Sequence, residues 1–269
     1  MIITRGFKMI RYYCSGFDVE NSFGHGLGEK FKSELKKTDS IVYVPGGPKK
    51  VEKSIEKYLP LFRKHFATCQ IHFETENLIT PDTPSAMAQN MVKNADFVML
   101  MGGDPIMQKD MCEKLGIMDA LKNYNNGIML GYSAGAMLMS KYIIITPGCE
   151  EHPDPKSKDS FVTTGLNLDG LSIYPHNNTA DTEYPDELVL GDEVYRKSDL
   201  IRVAKDYGDF YLLQDNKRET GKVDVSLIKS VDGKISFYTE NAGKIWVVGN
   251  DGIKPVNNIM PVMKKDREY

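Results

Sequence analysis

The first half of the chain alternates short apolar runs with segments of helical period. Ile10–Cys14 (IRYYC) reads as a strand, 29–37 as a helix, and 40–44 (SIVYV) as a strand stopping at Pro45-Gly46-Gly47. Val51, Ile55, Tyr58, Leu59, Phe62 and Phe66 recur at helical spacing and predict a helix over 49–66. Residues 70–73 read as a strand and 83–94 as a helix capped by Thr83. The run 96–101 (DFVMLM) is apolar almost throughout and ends at Gly102-Gly103; a helix over 105–124 and a strand over 127–130 follow. Strands apolar along their whole length, joined by helices, indicate an α/β fold. Its sheet is expected to be mostly parallel, with helices on both faces.

After Ser140 the pattern changes. Residues 149–160 (CEEHPDPKSKDS) are polar and proline-rich, as expected of a surface loop. From about 210 the chain reads as short strands, with Asp232-Gly233 as the turn of a hairpin. No repeat, low-complexity tract or linker interrupts it. The expectation is one α/β domain over 1–269 with a β-rich C-terminal extension from about 210.

Composition narrows the partners. The 269 residues carry a formal net charge of -3 with no basic stripe, which argues against nucleic acid. No apolar stretch reaches the roughly 18 residues of a spanning helix, and the start lacks a signal-peptide core. A cytoplasmic protein without a membrane partner is expected. Cys14, Cys69, Cys112 and Cys149 are far apart with no C-x-x-C, so reduced, mostly buried thiols are expected, with no metal site.

The candidate chemistry lies at GYSAG, residues 131–135. A hydroxyl becomes a nucleophile only with exposure, a base and donors for the oxyanion it creates. A sharp strand-to-helix turn lifts the side chain clear and frees the next backbone N–H. The form G-x-S-x-G, with small neighbours around Ser133, suits such an elbow. The plain alternative is Ser133 as an ordinary helix N-cap. The glycine-ended strand at 99–103 would end beside it, and the N–H groups of Gly103 and Ala134 could then form an oxyanion hole.

Of five histidines, His65 lies in a helical run and His72 in a short strand, both structural in character. His25 sits in a glycine-rich loop (SFGHGLGE) that lacks the Lys-Ser/Thr of a phosphate loop. His152 lies in the polar loop and reads as solvated. His176 follows an apolar strand in LSIYPHNN, where it could reach a serine at the sheet edge or serve as a structural histidine. No histidine follows it. A serine–acid–histidine order would therefore confine the acid to 133–176, so serine–histidine–acid fits better.

Together LMGGD (100–104), GYSAGAM (131–137), LNLDGLSIYPHNN (166–178) and FYLLQDN (210–216) resemble the dipeptidase E and cyanophycinase family of serine peptidases over roughly 10–245. The resemblance implies a flavodoxin-like fold similar to class I glutamine amidotransferases, with serine in place of their cysteine. It implies Ser133 as nucleophile, His176 as base and Asp215 as the acid, with Glu187 and Asp186 as alternative acids. No cofactor is implied. The implied substrate is a small peptide of Asp-X type, and a homodimer is left open. Arg196, Lys197 and Arg202 are candidate cations for its carboxylate, though surface positions suit them equally.

The chain departs from the family in four places. Asp104-Pro105 replaces the usual Asn or Gln with Thr, Asn216 follows Asp215 where glycine is usual, and extra residues occur near 149–162 and beyond 245. Asp104-Pro105 is the feature that would suit a non-catalytic binding protein on the same scaffold. An esterase or acyltransferase with the same triad is the other alternative.

Overall fold

The computed structural model describes residues 9–17, 23, 25–179, 183–190, 193–215, 224–241 and 243–261. Its central sheet has eight strands. Five are β1 (Ile10–Cys14), β2 (Ser40–Gly46), β3 (Thr75–Leu78), β4 (Phe97–Gly103) and β5 (Ile128–Tyr132), all mutually parallel in the order β1-β5-β4-β2-β3. Alternation within these strands splits the core in two. Tyr12, Ile41, Tyr43, Phe97, Met99 and Leu130 pack to one side, while Tyr13, Val42, Val44, Val98, Leu100 and Met129 pack to the other. Helices cover both sides, which is why the strands read as continuous apolar runs. On the first side lie α1 (His25–Glu34) and a helical run comprising a 3₁₀ turn at Pro48–Lys50, α2 (Val51–Lys53), a π turn at Ser54–Tyr58 and α3 (Leu59–Thr68). On the second lie α4 (Ser85–Asn94), α5 (Pro105–Lys114), α6 (Met118–Lys122) and α7 (Ala134–Met139).

The C-terminal half is rich in strands. These are β6 (Tyr142–Ile145), β7 (Phe161–Thr164), β8 (Ile173–Tyr174), β9 (Glu187–Leu190) and β10 (Glu193–Arg196), then α8 (Lys197–Tyr207) and β11 (Phe210–Leu213). After them come β12 (Val225–Val231), β13 (Lys234–Glu240), β14 (Ile245–Gly249), β15 (Gly252–Pro255) and β16 (Met260–Pro261). The β12–β13 hairpin turns at Asp232 and Gly233, both with positive φ, and β12 joins β1 antiparallel. A second sheet, β15-β14-β11-β8, carries the segments that lead into His176 and Asp215.

Several boundaries differ from the sequence expectation. The strand expected at 70–73 is absent. Gln70 turns left-handed (φ 57°), and the Cys69 and Ile71 N–H groups bond back to carbonyls of α3. The strand lies instead at Thr75–Leu78, an edge position whose half-exposed TENL carries no apolar signal. Thr83 does not cap α4. It accepts from Thr80 N at 2.9 Å, and Pro84 precedes the helix. The helix expected over 105–124 breaks at Gly116 (φ 66°), where Ile117 N reaches back to Cys112 O and closes a Schellman-type end. The glycine-rich segment around His25 opens α1 rather than a loop; a Cβ on Gly28 would stand 2.1 Å from Cys69 Sγ, so glycine there permits close packing. Residues 22 and 24 of that segment, and Asn216, lie outside the described residues. The π turn precedes Pro60, whose ring would crowd the Glu56 carbonyl in a regular α-helix.

One buried ion pair ties the sheet to the segment leading to β8. Arg11 Nη1 donates to Asp169 Oδ1 at 2.9 Å, with the side chains 4% and 1% exposed. Ser230 Oγ donates to the same oxygen and Tyr13 OH to Oδ2. Removing one partner of such a pair strands a buried charge. Asp169→Ala is expected to lose about 3–5 kcal/mol of stability in urea denaturation; a loss below about 1 kcal/mol would show that Arg11 finds water.

Candidate active site

Ser133 follows β5 and precedes α7 with φ 51° and ψ −121°, a conformation L-residues rarely adopt. The small neighbours explain how the chain reaches it. A Cβ on Gly135 would stand 2.0 Å from the Leu100 carbonyl oxygen, and one on Gly131 would stand 2.6 Å from the Gly135 oxygen. Helix α7 can therefore lie directly against β4 and β5. The Ser133 N–H is held by the Cys14 and Ser15 carbonyls, while its own carbonyl accepts from Ala136 and Met137 N–H. Its hydroxyl makes no capping bond to the helix, so the N-cap alternative does not describe it.

Instead Ser133 Oγ lies 2.7 Å from His176 Nε2, and His176 Nδ1 lies 2.7 Å from Asp215 Oδ2. The register of β8 against β11 brings the last two together. The strands are parallel with Leu212 opposite Tyr174, so residues just past both ends emerge side by side. His176 has φ 59°; its N–H donates to Ser15 Oγ at 2.8 Å, and Ser15 donates onward to the Leu213 carbonyl. Asn178 Oδ1 accepts from Asp215 N, and the space of a Cβ on Gly16 is filled by Asp215 Oδ2, 2.2 Å away. Ser15, Gly16 and Asn178 escaped sequence reasoning. The one available signal was Ser-Gly directly after the first strand.

The other candidates stand elsewhere. Glu187 pairs with Arg196 and Asp186 with Lys197, while Arg202 pairs with Asp159 and Asp199. His65 is buried in α3. His72 lies between α3 and β3 rather than in a strand. His152 is buried, not solvated. Its Nε2 bonds the Asp159 carbonyl and its Nδ1 accepts from Asp154 N, so the imidazole organises the 149–160 loop from within. Asp104 is the N-cap of α5, its Oδ1 accepting from Ile106 and Met107 N–H at 2.9 Å. A capping role accounts for Asp104-Pro105.

Two cavities meet at the serine, both walled by Gly103, Ser133 and His176. One, of about 310 Å³, is lined by Phe17, Lys50, Lys57 and Tyr58; the other, of about 170 Å³, by Ala134, Cys149, Glu151, Tyr174, Glu193 and Tyr195. Burial pulls the His176 pKa down. The hydrogen bond and charge of Asp215, with the charges of Glu193 and Glu151, push it up by more, and the net is above the ordinary 6.5.

A family model described as peptidase family S51 matches residues 15–199, which include Ser133 and His176 and end before Asp215. The chain belongs to peptidase family S51. This S51 chain is therefore a peptidase of the dipeptidase E type. Among solved structures it is similar to a peptidase from an acI-B1 Actinobacterium, with TM-score 0.56 and 14% identity over 93% of this chain and 94% of that one. It is also similar to a protein of Listeria monocytogenes EGD-e provisionally described as peptidase E, with TM-score 0.52 and 15% identity over 86% and 98%. At these identities both show a shared fold. No curated protein matches the S51 chain. Among its described residues no helix is long and apolar enough to cross a membrane.

A methyl at residue 16 would collide with the carboxylate that holds the imidazole. Gly16→Ala is expected to displace Asp215 and lower the His176 pKa, read by NMR titration of the ring protons. An unchanged titration would show that the carboxylate has room to yield without leaving Nδ1.

Proposed function

We propose that this peptidase cleaves a peptide or amide bond of a small peptide in the cytoplasm through a Ser133–His176–Asp215 triad. The observation that carries the reading is the unbroken line from Ser133 Oγ through the imidazole to the Asp215 carboxylate, with both contacts 2.7 Å. Ser133 Oγ attacks the carbonyl carbon while His176 Nε2 takes the hydroxyl proton. Asp215 fixes the tautomer with the proton on Nδ1 and stabilises the imidazolium. The oxyanion is received by the N–H groups of Gly103 and Ala134. Gly103 lines both cavities, and Ala134 opens α7, where first-turn N–H groups have no partner within the helix. The imidazolium returns the proton to the leaving amine. Water, deprotonated by the same imidazole, then releases the acyl group and restores the serine. The aspartyl substrate implied by the resemblance is supported by Lys50 and Lys57, cations in the larger cavity that a carboxylate could approach.

Ser133→Ala is expected to lower kcat by about 10⁶-fold and abolish fluorophosphonate labelling; unchanged turnover would remove the serine from the chemistry. The base works only when neutral, so kcat/KM should fall as pH drops through a His176 pKa above 6.5. Asp215→Asn is expected to move that limb to lower pH and to reduce kcat by about 10⁴-fold, read from pH–rate profiles.

A further inference from the structure

The two cavities that meet at Ser133 carry opposite charge. Lys50 and Lys57 stand on one, supplied by the 3₁₀ turn and the π turn that precede α3, and among the described residues they outnumber its one carboxylate, Asp215, which is engaged by His176. π turns concentrate at functional positions because they displace side chains from the regular helical rows. Here the turn presents Lys57 and Tyr58 to the cavity that Ser133 shares. Among the described residues the other cavity has no Lys or Arg in its lining, and it has two carboxylates, Glu151 and Glu193. Each accepts hydrogen bonds from neighbouring side chains. Cys149 Sγ donates to Glu151 Oε2 at 2.8 Å, and the Tyr195 and Tyr174 hydroxyls donate to Glu193 Oε2. Burial raises both phenols' pKa values, so they remain donors.

We infer that the site selects a small zwitterionic substrate, with a cationic group in the cavity of Glu151 and Glu193 and a carboxylate against Lys50 and Lys57. The cation is an ammonium or guanidinium, supplied either by a free α-amino terminus or by a basic side chain. At about 170 Å³ the acidic cavity holds one such group, not a folded chain. Both cavities open on the same hydroxyl and imidazole, so the two charges fix where the scissile carbonyl sits. The inference rests on the proposed hydrolysis for its meaning, but binding tests it separately.

The experiment is calorimetric titration of Ser133→Ala with Asp-Ala, Asp-Lys, their N-acetyl forms and their C-terminal amides, repeated in Glu151→Gln, Glu193→Gln and Lys50→Gln/Lys57→Gln backgrounds. Each Glu→Gln change is expected to weaken cation-bearing peptides about tenfold and to leave N-acetyl-Asp-Ala unchanged. Loss confined to free-amine peptides assigns the cation to the α-ammonium; loss retained by N-acetyl-Asp-Lys assigns it to the side chain. The lysine double change is expected to weaken Asp-Ala more than its amide where the terminal carboxylate is held, and both equally where the aspartyl carboxylate is held; unchanged affinity for both would overturn the assignment of the carboxylate to Lys50 and Lys57. Affinities indifferent to the cation in both Glu variants would overturn the inference, and Glu151→Gln alone keeps the test decisive should Glu193→Gln fold poorly. Fluorophosphonate labelling and turnover of the unsubstituted chain run in parallel. Labelled, active enzyme with charge-blind binding sinks this inference alone. Charge-dependent binding without labelling or turnover sinks the hydrolytic reading instead.

Discussion

The contact on which the rest of the site depends is the approach of Gly135 to the Leu100 carbonyl. A side chain there would stand 2.0 Å from that oxygen, so only glycine lets α7 settle against the middle of β4. With the helix held down, the turn between β5 and α7 has one residue in which to reverse, and Ser133 takes it at φ 51°. Such a backbone costs about 1–3 kcal/mol. It is offset locally by the carbonyls of Cys14 and Ser15, which accept its N–H, and by the helix N–H groups that take its carbonyl. The consequence is a hydroxyl turned away from the helix it would otherwise cap and toward the imidazole.

The second half of the site comes from a different sheet. β8 contributes only two residues, yet its pairing with β11 decides which carboxylate meets His176. Ser15 joins the two halves. It extends β1, one of its backbone bonds goes to the Ser133 N–H, and its hydroxyl links the His176 N–H to the Leu213 carbonyl. The buried Arg11–Asp169 pair works at longer range by tying the segment before β8 to the central sheet. Ser133 and His176 are thus located by one residue between two sheets, which suits the proposed chemistry, since it tolerates little misplacement.

Electrostatics couple the proposed substrate pocket to His176. Glu151 and Glu193 raise the His176 pKa along with Asp215. A cation lodged between them would offset part of that push and free the imidazole as a base at lower pH. The 149–160 loop brings Glu151 to the site, and the buried His152 inside it supplies the internal bonds that shape it.

The sequence by itself determined the elements whose signals are local. Apolar runs marked β1, β2, β4 and β5, Asp232-Gly233 marked its hairpin, and the glycines around Ser133 marked the elbow, because turn and strand chemistry is written within a few residues. Chain order pointed to an acid after His176, and the family resemblance pointed to Asp215. Long-range geometry was decided only by the tertiary structure. Strand β3 is a half-exposed edge with no apolar pattern. His152 looked solvated because its partners are backbone groups. Ser15 and Gly16 carried only the weak signal of Ser-Gly after a strand, and Lys50, Lys57, Glu151 and Glu193 have nothing distinctive in their own neighbourhoods. They matter because the end of β1, the 3₁₀ and π turns, the polar loop and β10 converge on one hydroxyl, and convergence between distant segments is set by packing, which no local pattern records.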